Sequence, residues 1–129
     1  MVLVDTSVWI DYLENKNTFG GRIPKLMNEG KVVTTGLIVA ELIQGAGTQE
    51  GIKLIRTFME TFKVLEDSPR SWEKAGILSS EMRKKQKKIG LADCYLSILA
   101  LENDAAIITL DKHFKEIAKF NPIKLHPLS

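Results

Sequence analysis

Short apolar runs rich in β-branched residues alternate along the chain with longer stretches in which apolar residues recur at helical spacing. Residues 2–4, 32–35 and 106–110 form such runs, and they are too uniformly apolar for strands with one face in water. Strands that alternate with helices are typical of a parallel sheet covered by helices. The pattern predicts an α/β fold with a central, mostly parallel sheet of four to five strands flanked by helices.

Helices are predicted in the intervals between these strands. Thr6 or Ser7 can cap the first of them. Apolar spacing predicts others at residues 37–44, 50–62, from about 70 into a basic run, and from about 92 onward. Short apolar pieces at residues 64–65 and 123–125 predict two further strands, the second at an edge of the sheet because prolines flank it.

Composition restricts the class of protein. The chain has 129 residues, 44% hydrophobic and 26% charged, which is ordinary for a globular protein and predicts one domain over residues 1–129. The single cysteine, Cys94, excludes an intrachain disulfide framework and a Cys-rich zinc site and fits the cytoplasm. No secretory signal is recognisable, and no apolar stretch approaches the roughly 20 residues that span a bilayer. We therefore expect no membrane partner.

Four acidic residues stand out by their position relative to the predicted elements. Asp5 and Asp111 follow two predicted strands, and ligands of an open parallel sheet bind beyond the carboxyl ends of its strands. Asp93 opens a helix, and Glu41 lies inside a strongly apolar one. Taken singly, helix capping explains the three aspartates more simply. For Glu41, a functional role and an exposed helix edge explain the position equally well.

The segments around these acids resemble the motifs of the PIN-domain ribonucleases when they are taken together and in order. The segments read VLVDTSVWID, IVAELIQG, GLADCYLSILA and IITLDKHF. The resemblance covers nearly the whole chain. The size and the motifs of the chain are most similar to those of the VapC toxins of prokaryotic toxin–antitoxin pairs. It implies a three-layer PIN-like fold and an endoribonuclease.

The resemblance also implies roles for particular residues. The acidic quartet of the family falls on Asp5, Glu41, Asp93 and Asp111, and none of the four is substituted. Ser7 and Thr109 match hydroxyl residues that would orient a carboxylate or a water on the metal. The family further implies a homodimer, a cognate VapB-type antitoxin that blocks the cleft, and RNA products with 5′-phosphate and 3′-hydroxyl ends.

Four carboxylates in one pocket repel each other unless a cation is bound. Ligands that are all oxygen suit Mg²⁺ or Mn²⁺. Such an ion makes a bound water more acidic and neutralises charge on the phosphoryl oxygens, which serves phosphodiester hydrolysis. The sequence leaves open whether one or two ions are held, and which RNA is cut.

A basic run precedes the third acidic motif. It consists of Arg83, Lys84, Lys85, Lys87 and Lys88. A solvated helix face is the usual explanation for such a run. Contact with an RNA backbone competes with it, because a polyanion that approaches an acidic pocket needs cations along its route. The whole chain, with 18 Lys and Arg against 16 Asp and Glu, carries only +2, which identifies no partner.

The other candidates have simpler explanations. His113 and His126 could be metal ligands or general acids, but they share no recognisable ligand spacing and are expected at the surface or at helix caps. Cys94 is expected in the core, Trp9 in the core or at a subunit contact, and Asp104 in a turn away from the site.

Two other classes of function compete with the nuclease. The first is a non-cleaving RNA- or protein-binding module on the same scaffold, against which the intact acidic quartet argues. The second is a phosphoryl-transfer enzyme of the receiver or haloacid-dehalogenase type. The segment Asp5–Thr6–Ser7 lacks the second aspartate of the phosphatase motif, and no strand-end lysine is obvious for a receiver.

Overall fold

Five short strands, all parallel, form the centre of the structure, a computed structural model that describes residues 1–127. Leu128 and Ser129, the last residues of the predicted domain, lie outside the described residues. The strands are β1 (Val2–Val4), β2 (Val32–Thr34), β3 (Lys63–Val64), β4 (Ala106–Ile108) and β5 (Lys124–Leu125). Their order is β3-β2-β1-β4-β5. The predicted parallel α/β sheet is confirmed, with β5 at an edge.

The described residues form seven helices that flank this sheet. They are α1 (Thr6–Leu13), α2 (Arg22–Asn28), α3 (Gly36–Ala46), α4 (Gln49–Met59), α5 (Pro69–Lys84), α6 (Leu91–Glu102) and α7 (His113–Ala118). Within residues 1–127, no helix has both the length and the apolar character that a membrane crossing needs.

The helices differ from the predicted ones in three places. α2 and α7 were not predicted. Pro24 does not disrupt α2, because it lies in the first turn, where backbone N–H groups have no partner within the helix. The predicted helix from residue 70 ends at Lys84, and Gln86 follows with a φ of 61°. Most of the basic run therefore lies in a loop and not on a helix face.

The core surrounds β1 and α6. β1 is buried throughout, and α6 is buried continuously from Cys94 to Ala100. Burial raises the pKa of the Cys94 thiol to about 11, so the residue is an inert core side chain, as predicted. Trp9 is fully buried, with its ring 5.3 Å from the rings of Phe58 and Phe62. It belongs to the core, which confirms one of the two alternatives for this residue.

The strand order creates a switch point beside β1. The chain adds β2 and β3 on one side of β1 and then β4 and β5 on the other. β1 and β4 pair in register up to Val4 and Ile108, and the backbone N–H of Asp5 donates to the carbonyl of Ile108 at 3.1 Å. The segments that leave β1 and β4 therefore start side by side, at the place where open parallel sheets bind ligands.

A buried cap fixes the start of α3 beside this switch point. Thr35 follows β2, is fully buried, and accepts a hydrogen bond from the backbone N–H of Ile38 at 3.2 Å. The cap ends the extended backbone of β2 and begins the helix that carries Glu41.

Replacing this cap is expected to weaken the fold. Thr35→Val keeps the shape of the side chain but leaves the N–H of Ile38 unpaired and buried, so the free energy of unfolding in urea falls by about 1 kcal/mol or more. Thr48 caps α4 in the same way, at an exposed position. Thr48→Val is the matched control and should cost about half as much, because water replaces the lost partner. Equal losses at the two positions would contradict the role of the buried cap.

Candidate functional site

Asp5 lies at the end of β1, and two hydroxyl groups hold its buried carboxylate. Ser7 and Thr109 each donate a hydrogen bond to Oδ2 of Asp5 at 2.8 Å. Each hydroxyl also accepts a backbone N–H from the loop after β4, Ser7 from Leu110 at 3.0 Å and Thr109 from Asp111 at 2.9 Å. Each hydroxyl therefore uses its single proton for the hydrogen bond that it donates to Asp5. One carboxylate therefore joins the start of α1 to the loop that follows β4.

Glu41 reaches the same end of the sheet from α3. Thr6, the first residue of α1, donates a hydrogen bond to Oε1 of Glu41 at 2.9 Å. Because Thr6 directly follows Asp5, this contact brings the Glu41 carboxylate beside the end of β1. Glu41 is half-buried, and its helix packs against α1.

Asp93, Asp111 and His113 form a compact group at the start of α6 and α7. Nδ1 of His113 lies 2.9 Å from Oδ2 of Asp93 and 3.5 Å from Oδ1 of Asp111. The backbone N–H of His113 also donates to Oδ1 of Asp111 at 2.9 Å. One potential ligand atom from each of the three residues lies within 4.8 Å of the others.

The pKa values of Asp93 and Glu41 depend on burial and on the charges of neighbouring acids. Burial raises the pKa of Asp93, and the charges of Asp111 and Asp5 add to this effect, while the hydrogen bond with His113 opposes it. Burial also raises the pKa of Glu41, with further contributions from Asp5 and Asp93 against one hydroxyl hydrogen bond. Ionising one carboxyl therefore makes ionising its neighbours harder.

This donor set fits a divalent cation. A single ion roughly 2.0–2.4 Å from each ligand can bridge the spacing between Asp93, Asp111 and His113. The charge of Asp5 contributes to the pKa of Asp93, and the charge of Asp93 contributes to the pKa of Glu41. Within residues 1–127, however, neither Asp5 nor Glu41 belongs to a group of three potential ligands this close together. A cation at this place would offset both the burial and the repulsion that raise the pKa values of Asp93 and Glu41.

The basic run lies against α7. Nζ of Lys87 forms an ion pair with Glu116 at 3.3 Å, and Nζ of Lys85 lies 4.7 Å from the centre of the Phe120 ring. Arg83, Lys84 and Lys88 are exposed. Arg83 and Lys84 are the last two residues of α5, and Lys88 lies in the loop that ends at Gly90, immediately before the helix of Asp93.

A comparison with known families decides the class of this domain. The family model described as PIN domain matches residues 2–120. The chain belongs to the PIN domain family. Its sequence is 27% identical over 121 residues to ribonuclease VapC1 of Haemophilus influenzae, covering 89% of this chain and 90% of that protein.

Solved structures resemble this PIN domain over nearly its full length. VapBC-1 from nontypeable Haemophilus influenzae gives a TM-score of 0.77 at 23% identity, covering 99% of this chain and 98% of the other. A toxin–antitoxin complex from Klebsiella pneumoniae gives 0.71 at 20% identity, covering 100% and 98%. These likenesses confirm the PIN-like fold that the four sequence motifs implied.

His113 lies in the candidate site, although its contacts with Asp93 and Asp111 were not predicted. We expected it at the surface or at a helix cap, and its side chain is indeed 48% exposed. Its ring nevertheless contacts two of the predicted acids. In the sequence, only its place two residues after Asp111 indicated that His113 lies near an acid. Its contact with Asp93 spans 20 positions, so sequence spacing does not indicate it. Among residues 1–127, His126 belongs to no such group, and Asp104 lies in a turn before β4, as predicted.

Removing the charge of Glu41 is expected to stabilise the metal-free PIN domain. Its raised pKa means that the folded state favours the protonated form, so this contribution to stability is lost as the pH rises through the pKa of the folded state. In the presence of a chelator at neutral pH, Glu41→Gln should raise the Tm by roughly 2–5 °C. The glutamine oxygen can still accept the hydrogen bond from Thr6.

Differential scanning calorimetry measures this change. The exposed Glu81 supplies the control, since Glu81→Gln should leave the Tm nearly unchanged. At acidic pH the gain at Glu41 should shrink, because the wild-type carboxyl is then protonated as well. A lower Tm for Glu41→Gln at neutral pH would show that repulsion does not dominate at this position.

Proposed function

We propose that residues 1–129 form a single PIN domain that acts as a metal-dependent endoribonuclease, the toxin of a toxin–antitoxin pair. The observation that carries the proposal is the convergence of acids from four separate elements at the carboxyl ends of β1 and β4. The relationship to VapC ribonucleases supports a nuclease. The electrostatic coupling of the carboxylates supports a bound divalent cation.

Asp5, Glu41, Asp93 and Asp111 are the residues that would hold Mg²⁺ or Mn²⁺. When bound, such an ion supplies an acidified water and neutralises charge on the scissile phosphate. Ser7 and Thr109 fix the direction of the Asp5 carboxylate through its Oδ2, so its other oxygen is free for the site. Thr6 does the same for Glu41 through Oε1. These contacts set the ligands in position before substrate arrives.

RNA is the substrate that the charge distribution supports. Without the four site acids, 12 acidic residues remain against 18 Lys and Arg, so the rest of the chain carries +6. Five of these cations belong to the run Arg83, Lys84, Lys85, Lys87 and Lys88. We place the RNA backbone along this run, because cations there offset the repulsion between a polyanion and an acidic pocket.

The partners of the enzyme follow from its relatives. A structure with the same fold is a toxin–antitoxin complex, and another is of VapBC-1. We infer that a VapB-type antitoxin binds this chain, that two copies form a homodimer, and that the enzyme acts in the cytoplasm.

Removing one ligand is expected to abolish cleavage. Asp93→Asn and Asp5→Asn should each lower the rate of divalent-dependent RNA cleavage by at least roughly 100-fold, because a neutral amide is a poor ligand for a hard cation. Cleavage of labelled RNA on denaturing gels measures the rate. Circular dichroism of each variant establishes that it is folded.

Asp104→Asn is the matched control for this experiment. Asp104 is exposed and pairs with Lys124 at 2.8 Å. It precedes β4, at the amino ends of the strands and therefore opposite the candidate site. Its replacement should leave cleavage unchanged. Full activity in Asp93→Asn or Asp5→Asn would refute the proposed mechanism. A wild-type protein that binds RNA but never yields divalent-dependent products would instead be a binding module.

Neutralising the exposed cations of the basic run is expected to weaken RNA binding. In an Asp93→Asn background that prevents cleavage, changing Arg83, Lys84 and Lys88 to Gln should lower the slope of log affinity against log salt by about 2 for single-stranded RNA. Fluorescence anisotropy across a salt series measures the slope. A control that changes Lys25, Lys53 and Lys63 to Gln removes the same charge elsewhere and should alter the slope little. The same slope for both triple variants would count against the assigned route.

A further inference from the structure

His113 is the one nitrogen donor in a cluster whose other members are carboxylates. Its ring lies within hydrogen-bond distance of Asp93 and 3.5 Å from Asp111. Of the three side chains it is the most exposed, at 48% against 22% for Asp93 and 37% for Asp111. An ion that entered from solvent to reach both carboxylates would therefore pass beside the imidazole.

The backbone that carries the His113 ring is positioned by buried neighbours. Phe114 and Ile117 of α7 are fully buried, which fixes the helix against the core. The backbone N–H of His113 is held by Asp111, and the N–H of Asp111 is held by Thr109. These contacts hold the backbone of His113 in place, and its ring lies beside the two carboxylates in the structure without an ion.

Nitrogen ligands distinguish between the two ions that a carboxylate site accepts. Mg²⁺ is a hard cation that prefers oxygen and keeps several waters. Imidazole is a good ligand for later divalent metals, and affinity for mixed nitrogen and oxygen sites rises along the first transition row. Adding one imidazole to two carboxylates should therefore strengthen binding of Mn²⁺ more than binding of Mg²⁺.

We propose that His113 is a metal ligand of this PIN domain and makes its site select Mn²⁺ over Mg²⁺. The inference rests on the proposed function, since it needs the acids to hold a cation. It adds a residue outside the acidic quartet and a preference between two ions that the quartet alone leaves undecided. In the structure the ring contacts Asp93, and a bound ion would take the place of that hydrogen bond.

Metal binding to the full-length protein tests the inference without any activity assay. Isothermal titration with MnCl₂ and with MgCl₂ gives the two affinities for the wild type, His113→Ala and His126→Ala. His126 is the matched control, because it lies beyond β5 and belongs to no potential ligand group among the described residues. His113→Ala should weaken Mn²⁺ binding by at least about tenfold and Mg²⁺ binding by less than about threefold.

Pulsed electron paramagnetic resonance of bound Mn²⁺ gives a direct second measurement. Coupling to a ligand nitrogen should be present in the wild type and in His126→Ala and absent in His113→Ala. Equal weakening of both metals, or no nitrogen coupling in the wild type, would overturn the role of His113.

An Asp93→Asn variant separates this inference from the proposed function. If Asp93→Asn abolishes binding of both metals while His113→Ala changes neither affinity, the acidic site stands and His113 is not a ligand. If the wild type binds neither ion, or Asp93→Asn leaves both affinities unchanged, the proposed metal site fails and the inference fails with it.

Discussion

The geometry of the site depends on one buried carboxylate and the two hydroxyls that bind it. Asp5 is 7% exposed, and an ionised group so far from water is costly unless hydrogen bonds replace its solvent. Ser7 and Thr109 provide these bonds at the same oxygen, and both are themselves tied to backbone N–H groups after β4. The start of α1 and the loop that follows β4 are therefore held together by the Asp5 carboxylate, which is one of the acids of the candidate site. Satisfying a buried charge and building the site are the same structural requirement.

The arrangement sets stability against function. Burial raises the pKa values of Asp93 and Glu41, and neighbouring carboxylates from other elements add to the effect, which means that the ionised forms are less favourable in the folded state than in the unfolded chain. The sheet, the buried cap at Thr35 and the fully buried residues of β1 and α6 outweigh that cost. A cation at this place would relieve part of the remaining cost.

Features that follow from burial were predictable, and features that follow from particular contacts were not. β1, β2 and β4 are nearly continuous apolar runs because buried parallel strands have no polar face, and the carboxyl ends of strands indicated Asp5 and Asp111. α7, at six residues, is too short for helical spacing to reveal. The turn at Gln86 has a positive φ, and because the residue is not a glycine, the sequence does not indicate this turn. The contact between His113 and Asp93 exists only once α6 and α7 are folded.

A single short helix lies between the acidic and the basic regions of the surface. At its start, His113 contacts the acid Asp93, and one turn later Glu116 pairs with Lys87 of the basic run. α7 is anchored by the buried Phe114 and Ile117, and both Asp93 and Lys87 contact side chains of this helix. The net charge of +2 is uninformative because this separation keeps two surfaces of opposite sign on one chain.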